Sequence, residues 1–252
     1  MTVNISRNGL GLVLGFLLAS GMALANTVTA GSFSESGTIY VSTTMLDFGL
    51  FTEPPPGDQL ASIDLPTTGA FSDLTATEQI GIGNLNLASA TVTPTDINFD
   101  GAEPDWITLP DGIDLSLTNI PINTAVPVCS TLANENAPGT LCRAYATSPI
   151  VLEQGPTGVT AILNMVGDAY YTSSPTTLTA YDGKLSANFT GSEGTISGLL
   201  STFNADGSIT TGYSGTFSTV PEPVTLPILA VGLLMIALTA KVRTSRNKVT
   251  NR

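Results

Sequence analysis

Between residues 26 and 219 the apolar residues recur at every second position in short runs, and a helical period shows only once. Such a chain can bury its apolar side only by building sheets. Gly37-Thr38-Ile39-Tyr40-Val41-Ser42-Thr43 reads as a strand, with Ile39 and Val41 in alternation. Ile80, Ile82, Leu85 and Leu87 keep one face only if the phase changes between 82 and 85, which predicts two segments or a bulge. Ile113, Leu115 and Leu117 share a face, and Ile120 resumes after another break. Val159, Ala161, Leu163 and Met165 share a further face, and strands are expected over 178–181, 185–189, 209–213 and 216–220.

The connectors carry turn chemistry. Consecutive prolines keep Glu53-Pro54-Pro55-Pro56-Gly57-Asp58 out of any central strand, because each removes a ladder donor. Asp182-Gly183 and Asp206-Gly207 lie between apolar runs and predict tight hairpins. Ile196, Leu199, Leu200 and Phe203, at i, i+3, i+4 and i+7, predict one short helix capped by Thr195 or Ser192. The expected fold is mainly β: an antiparallel, β-sandwich-like ectodomain with one short helix.

The two ends differ from this middle. Arg7, an apolar stretch over 9–19 and Ala23-Leu24-Ala25 make a secretory signal peptide over 1–25, cleaved after Ala25, with Val28-Thr29-Ala30 as a second possible site. At the other end come Val220-Pro221-Glu222-Pro223, an uncharged apolar run over 224–240 and a basic tail over 241–252. That run is near the short limit for a transmembrane helix, and the tail, with five of the eight Lys and Arg, orients it with its end in the cytoplasm. The resulting domains are 1–25, 26–219 and 220–252.

The order of Pro221-Glu222-Pro223, apolar span and basic end resembles the PEP-CTERM sorting signal, although the basic residues spread across 241–252 where that family has a compact Arg run. The resemblance implies a substrate of a membrane-embedded exosortase that reads Pro221, Glu222 and Pro223. It implies export across an inner membrane, a transient anchor there through the C-terminal helix, and then a cell-surface or extracellular location linked to exopolysaccharide and biofilm. Short pieces, Thr68-Gly69-Ala70-Phe71-Ser72-Asp73-Leu74 and Tyr181-Asp182-Gly183 among them, are similar to one group of PEP-CTERM ectodomains of no established activity.

Charge and residue types narrow the chemistry. Nineteen acidic residues stand between the two end segments against only Arg143 and Lys184, a net charge of −17. That balance argues against nucleic acid as a partner. Cys129 and Cys142 lie in the exported part and are expected to form a disulfide. A chain without His cannot build a Ser-His-Asp or Cys-His arrangement, and zinc is a poor fit. No catalytic residue and no cofactor is expected, and the reading is of a non-enzyme. Abundant acids leave a glycosidase-like hydrolase as a remote alternative.

Two binding alternatives remain. Asp96-Ile97-Asn98-Phe99-Asp100-Gly101 matches the first half of a calcium loop, D-x-N-x-D-G, but Ile107 occupies the twelfth position where a bidentate carboxylate belongs. Trp106, Tyr170, Tyr171, Tyr181 and Tyr213 could stack on sugar rings in a glycan-binding adhesion module, with Tyr170 and Tyr171 on opposite faces of a strand.

Overall fold

The computed structural model describes residues 27–49 and 59–220, except for the side chains of 100–105. The segment expected to be a signal peptide with Ala25, the Pro54-Pro55-Pro56 connector, and the segment expected to be a sorting motif with its apolar span and basic tail lie outside the described residues.

Thirteen strands form one sheet, and every pairing between them is antiparallel. Eight of them follow one another around a ring. These are β1 (Gly31–Ser42), β3 (Leu60–Gly69), β4 (Gln79–Ile82), β7 (Asp96–Thr108), β8 (Ile113–Pro121), β11 (Val159–Tyr171), β12 (Thr179–Phe189) and β13 (Ser208–Thr219). The last pairs with the first along its whole length, from Gly31 opposite Thr219 to Ser42 opposite Ser208. The result is an up-and-down barrel, which removes the sheet edges that a sandwich would leave open. The mainly β expectation holds, but the sandwich gives way to a sheet closed on itself.

Five shorter strands hang on the ring: β2 (Met45–Gly49) and β5 (Leu85–Asn86) beside β1, β6 (Thr91–Val92) on β7, and β9 (Leu141–Arg143) and β10 (Val151–Gln154) beside β11. The helix α1 (Ile196–Asp206) joins β12 to β13. The phase breaks read from the sequence are real. Ile80 and Ile82 belong to β4 and Leu85 to β5, while opposite β11 the register skips from Leu117 to Asn119, leaving Thr118 as the bulged residue.

Both Asp-Gly expectations fail for a physical reason. Asp182-Gly183 lies inside β12, with Gly183 opposite both Met165 and Phe217. A Cβ at Gly183 would come 2.7 Å from the Phe217 ring, so the glycine makes room for an aromatic rather than a turn. Gly207 is left-handed (φ 73°) and ends α1, its N–H donating to the Phe203 carbonyl. The pieces 178–181 and 185–189 are therefore one strand, β12, apart from Leu178, and 209–213 and 216–220 are one strand, β13, apart from Val220.

Inside, alternate residues fill the barrel. Phe33 stacks on Phe217 with centroids 5.1 Å apart, and Phe71, Trp106 and Tyr181 gather at the same end. Each of these rings contributes about 1.5–3 kcal/mol through burial alone. Outside, β12 and β13 present Asp182, Lys184, Ser186, Asn188, Thr210, Ser214, Thr216 and Ser218. Those strands are apolar within and polar without, the reverse of a lipid-facing barrel wall. Among the described residues no helix is long and apolar enough to cross a membrane.

Candidate functional site

Three places concentrate unusual chemistry: a hydroxyl-rich outer face, a buried carboxyl and a cavity at one end. The outer face follows from register. On β1 the inward positions are Phe33, Glu35, Gly37 and Ile39, so Ser32, Ser34 and Ser36 point out. Directly across on β13 stand Ser218, Thr216 and Ser214, and beyond them on β12 stand Asp182, Lys184 and Ser186. On the other flank β3 supplies Thr68, Asp64 and Ser62. Three rows of polar side chains thus cross four strands, about 4.8 Å apart between strands and about 6.8 Å apart along them. Neighbours in the lattice bond one another: Ser32 with Thr68 at 2.9 Å, Ser36 Oγ donating to Asp64 Oδ1 at 3.1 Å, and Ser34 with Thr216 at 3.4 Å.

Glu35 lies on the inner side of this face and is fully buried. Its Oε1 accepts from the Tyr213 hydroxyl at 3.3 Å, and its Oε2 has no hydrogen-bond partner among the described residues. Burial pushes its pKa up to about 8. Desolvation also raises the Tyr213 hydroxyl, which is further disfavoured as an anion by Glu35. Nearby, Trp106 Nε1 donates to the Tyr181 hydroxyl at 2.7 Å. The sequence signal for Glu35 was present: it shares the two-residue phase of Phe33 and Ile39.

The aromatics read as sugar platforms are mostly part of this interior. Trp106, Tyr181 and Tyr213 are 2%, 1% and 3% exposed, and Tyr170 is buried as well. Tyr171 is half-buried at the end of β11. Asp96 and Asn98 stand on β7, opposite Pro121 and Asn119 of β8. A strand sets alternate residues about 6.8 Å apart, so these two do not converge as they would in a calcium loop. Asp96 already accepts from Thr95 Oγ1 at 2.6 Å and from Asn119 Nδ2 at 3.4 Å. The side chain of Asp100 lies outside the described residues. Among the described residues no three His, Cys, Asp or Glu gather as metal ligands would.

The third place is the end of the barrel where β1 finishes and β13 begins. Here β12 stops pairing with β13 after Ala187 opposite Tyr213, so Ser208 to Gly212 pair with β1 alone. The wall opens, and an excursion over 122–158 together with α1 packs across the gap. Cys129 and Cys142 are joined in the excursion, with Cα atoms 4.9 Å apart. Buried Arg143 holds its chain by donating from Nε to the Val126 carbonyl at 2.9 Å and from a terminal nitrogen to the Ala146 carbonyl. Gln154 ties the excursion to the helix: its Oε1 accepts from Ile196 N–H at 3.0 Å and its Nε2 donates to the Gly194 carbonyl at 3.0 Å. Thr195 caps α1 by accepting from Gly198 N–H at 3.1 Å, as the sequence suggested. Tyr145 reaches Asn204 on the helix at 2.7 Å.

Beneath these ties lies a cavity of about 330 Å³. Val41, Ile97, Leu163 and Ile209 come from the barrel strands, Leu152 and Ile150 from the excursion, and Leu199, Leu200 and Phe203 from α1. Sequence reasoning found the apolar face of α1 but not what it covers, because the excursion's apolar residues carry no period. No known protein family, curated protein or solved structure matches this chain.

Proposed function

We propose that the chain is an exported, exosortase-processed component of the cell surface or extracellular matrix, a binding and structural protein rather than an enzyme. The sorting reading rests on the sequence order of Pro221-Glu222-Pro223, apolar span and basic tail. The observation that carries the matrix role is the outer lattice of Thr68, Asp64, Ser62, Ser32, Ser34, Ser36 and their partners on β13 and β12. Regularly spaced hydroxyls exchange hydrogen bonds with the hydroxyls of an extended polysaccharide, each bond weak and the sum multivalent. The partner is accordingly an exopolysaccharide, contacted by the sheet surface rather than gripped in a cleft.

Two measurements test this. Mass spectrometry of the mature chain from fractionated cells is expected to show an N-terminus at Asn26 and no residue past Ala240, in the surface or extracellular fraction. A cytosolic chain still carrying Met1 overturns the export reading. Co-sedimentation with the producing cells' exopolysaccharide is expected to fall at least tenfold when Ser34→Glu and Thr216→Glu are combined. Undiminished co-sedimentation overturns the role of this face.

A further inference from the structure

We propose that the end cavity is a binding site for a single-chain amphiphile with an uncharged polar head, independent of the export reading. Its size sets the scale. At the ~30 Å³ share of a water-sized group, about 330 Å³ holds about ten methylene-sized units. Mostly apolar walls around an open-mouthed space of that volume gain by exchanging its water for an apolar guest.

Its shape selects a chain over a compact ring system. A smaller hollow of about 40 Å³ shares Val41, Leu46, Ile150, Ala161 and Leu163 with the large one and extends past Ile39 and Leu185 to Ile162 and Ser186. The apolar surface therefore continues from the large hollow along β11 and β12 as an elongated slot. The hydroxyl-bearing lining residues of the large hollow are Ser42 and Thr43 at the β1–β2 turn, and Tyr145, Thr147 and Ser148 in the excursion. Tyr145, 42% exposed, stands at the outer rim, where a ligand's polar end would meet water and hydroxyls.

Charge selects the head. Among the described residues no acidic or basic side chain lines either pocket, and neither Arg143 nor Lys184 reaches the lining. A carboxylate or phosphate head would have no counter-ion there and would meet the field of a region carrying a net −17. An ammonium head would be attracted from a distance but would find no carboxylate in the lining. A fatty alcohol or an alkyl glycoside meets none of these penalties.

The test uses the mature protein as isolated from its cells, with the neutral fluorophore N-phenyl-1-naphthylamine as reporter. Displacement is measured with the 1-alkanols from butanol to hexadecanol. Affinity is expected to rise about fourfold per methylene, equivalent to ~0.8 kcal/mol, and to level off near about ten carbons, where the slot is full. Decanoate and decyltrimethylammonium are each expected to bind at least tenfold more weakly than decanol. Ala161→Phe, which fills the slot between the two pockets, is expected to abolish displacement. Leu200→Trp from the helix side gives a second blocked variant if the first does not fold. Failure of decanol both to displace the reporter and to bind by calorimetry overturns the proposal, as does affinity that keeps rising to hexadecanol, which marks partition into an apolar tail. Unchanged decanol binding in a blocked variant with its disulfide and circular dichroism intact overturns the cavity as the site. Decyltrimethylammonium or decanoate binding as well as decanol overturns the choice of head.

Discussion

The two ends of the barrel are built from the same strands but filled differently. At the end where β13 finishes, Phe33, Phe71, Trp106, Tyr181 and Phe217 pack ring against ring, with centroids 5.0–6.0 Å apart. At the other end the same strands turn aliphatic residues inward, and a cavity of about 330 Å³ remains under a stapled excursion and a helix. One end is closed by strand residues with Phe71 of the β3–β4 connector; the other depends on tethers. Stability is thus concentrated where the ring is complete, and the adaptable surface lies where β12 and β13 part. The ligand-sized space falls at the end the strands alone cannot seal.

The largest expected effect is at the filled end. A Cβ on Gly167 would lie 2.0 Å from the Ser116 carbonyl oxygen and 2.6 Å from the Tyr181 ring. Backbone on one side and a buried ring on the other leave it nowhere to go. Gly167→Ala is expected to cost more than about 3 kcal/mol, beyond the usual range for overpacking, read as a lowered urea midpoint. Gly81→Ala, whose added Cβ meets nothing closer than 3.6 Å, is expected to leave the midpoint nearly unchanged. Equal effects at the two positions would break the distinction.

Next comes pH, through Glu35. Its folded-state pKa of about 8 stands above the ordinary 4.5, so the native protein keeps a proton that the unfolded chain releases between those values. Glu35's contribution is complete below about pH 4.5 and is lost as pH rises toward about 8. Glu35→Gln keeps a neutral side chain beside Tyr213 at every pH. The variant is expected to match the parent near pH 4 and to exceed it by several kcal/mol near pH 9. Parallel stability curves for the two proteins would show that the carboxyl is not held in a dry interior.

How much of this could be read beforehand varies with the range of the interaction that decides it. Period two placed Ile39, Ile80, Ile82, Leu115 and Leu163 correctly, since alternation is local and each residue faces the core for its own sake. The capped helix was legible for the same reason. Asp182-Gly183 and Asp206-Gly207 misled because a glycine needed beneath Phe217 or at a helix end looks in sequence like one needed in a turn. Closure of the sheet was not legible at all. It depends on Gly31 meeting Thr219 across the length of the domain, and no local pattern records that pairing. The cavity was hidden for a related reason: its walls come from seven stretches of chain, none individually unusual. Of the site residues singled out, Cys129 and Cys142 meet, and Trp106, Tyr181 and Tyr213, offered as sugar platforms, became core.

At the open end the tethers can be cut one at a time. Replacing Cys129 and Cys142 together by Ser releases a short loop whose closure contributes about 2–3 kcal/mol in the chain-entropy view. The loss is expected to appear first as faster amide exchange over 122–158, ahead of any change in β1 and β13. Uniform loss of protection would mean that the excursion and the ring unfold as one unit.

The smallest effect is the most discriminating. Thr195→Ala removes the side-chain oxygen that accepts from Gly198 N–H, a cap that contributes about 1 kcal/mol. Gln154 still holds Ile196 N–H, so the helix is loosened rather than detached. If the ends behave independently, exchange across 196–206 speeds up about fivefold while the barrel's thermal midpoint barely moves. The same variant should weaken decanol binding modestly, because Leu199, Leu200 and Phe203 form one wall of the slot. A midpoint that drops in step with the helix would show instead that α1 is part of the folding core, and the cavity beneath it would then be a packing gap held shut by the whole domain.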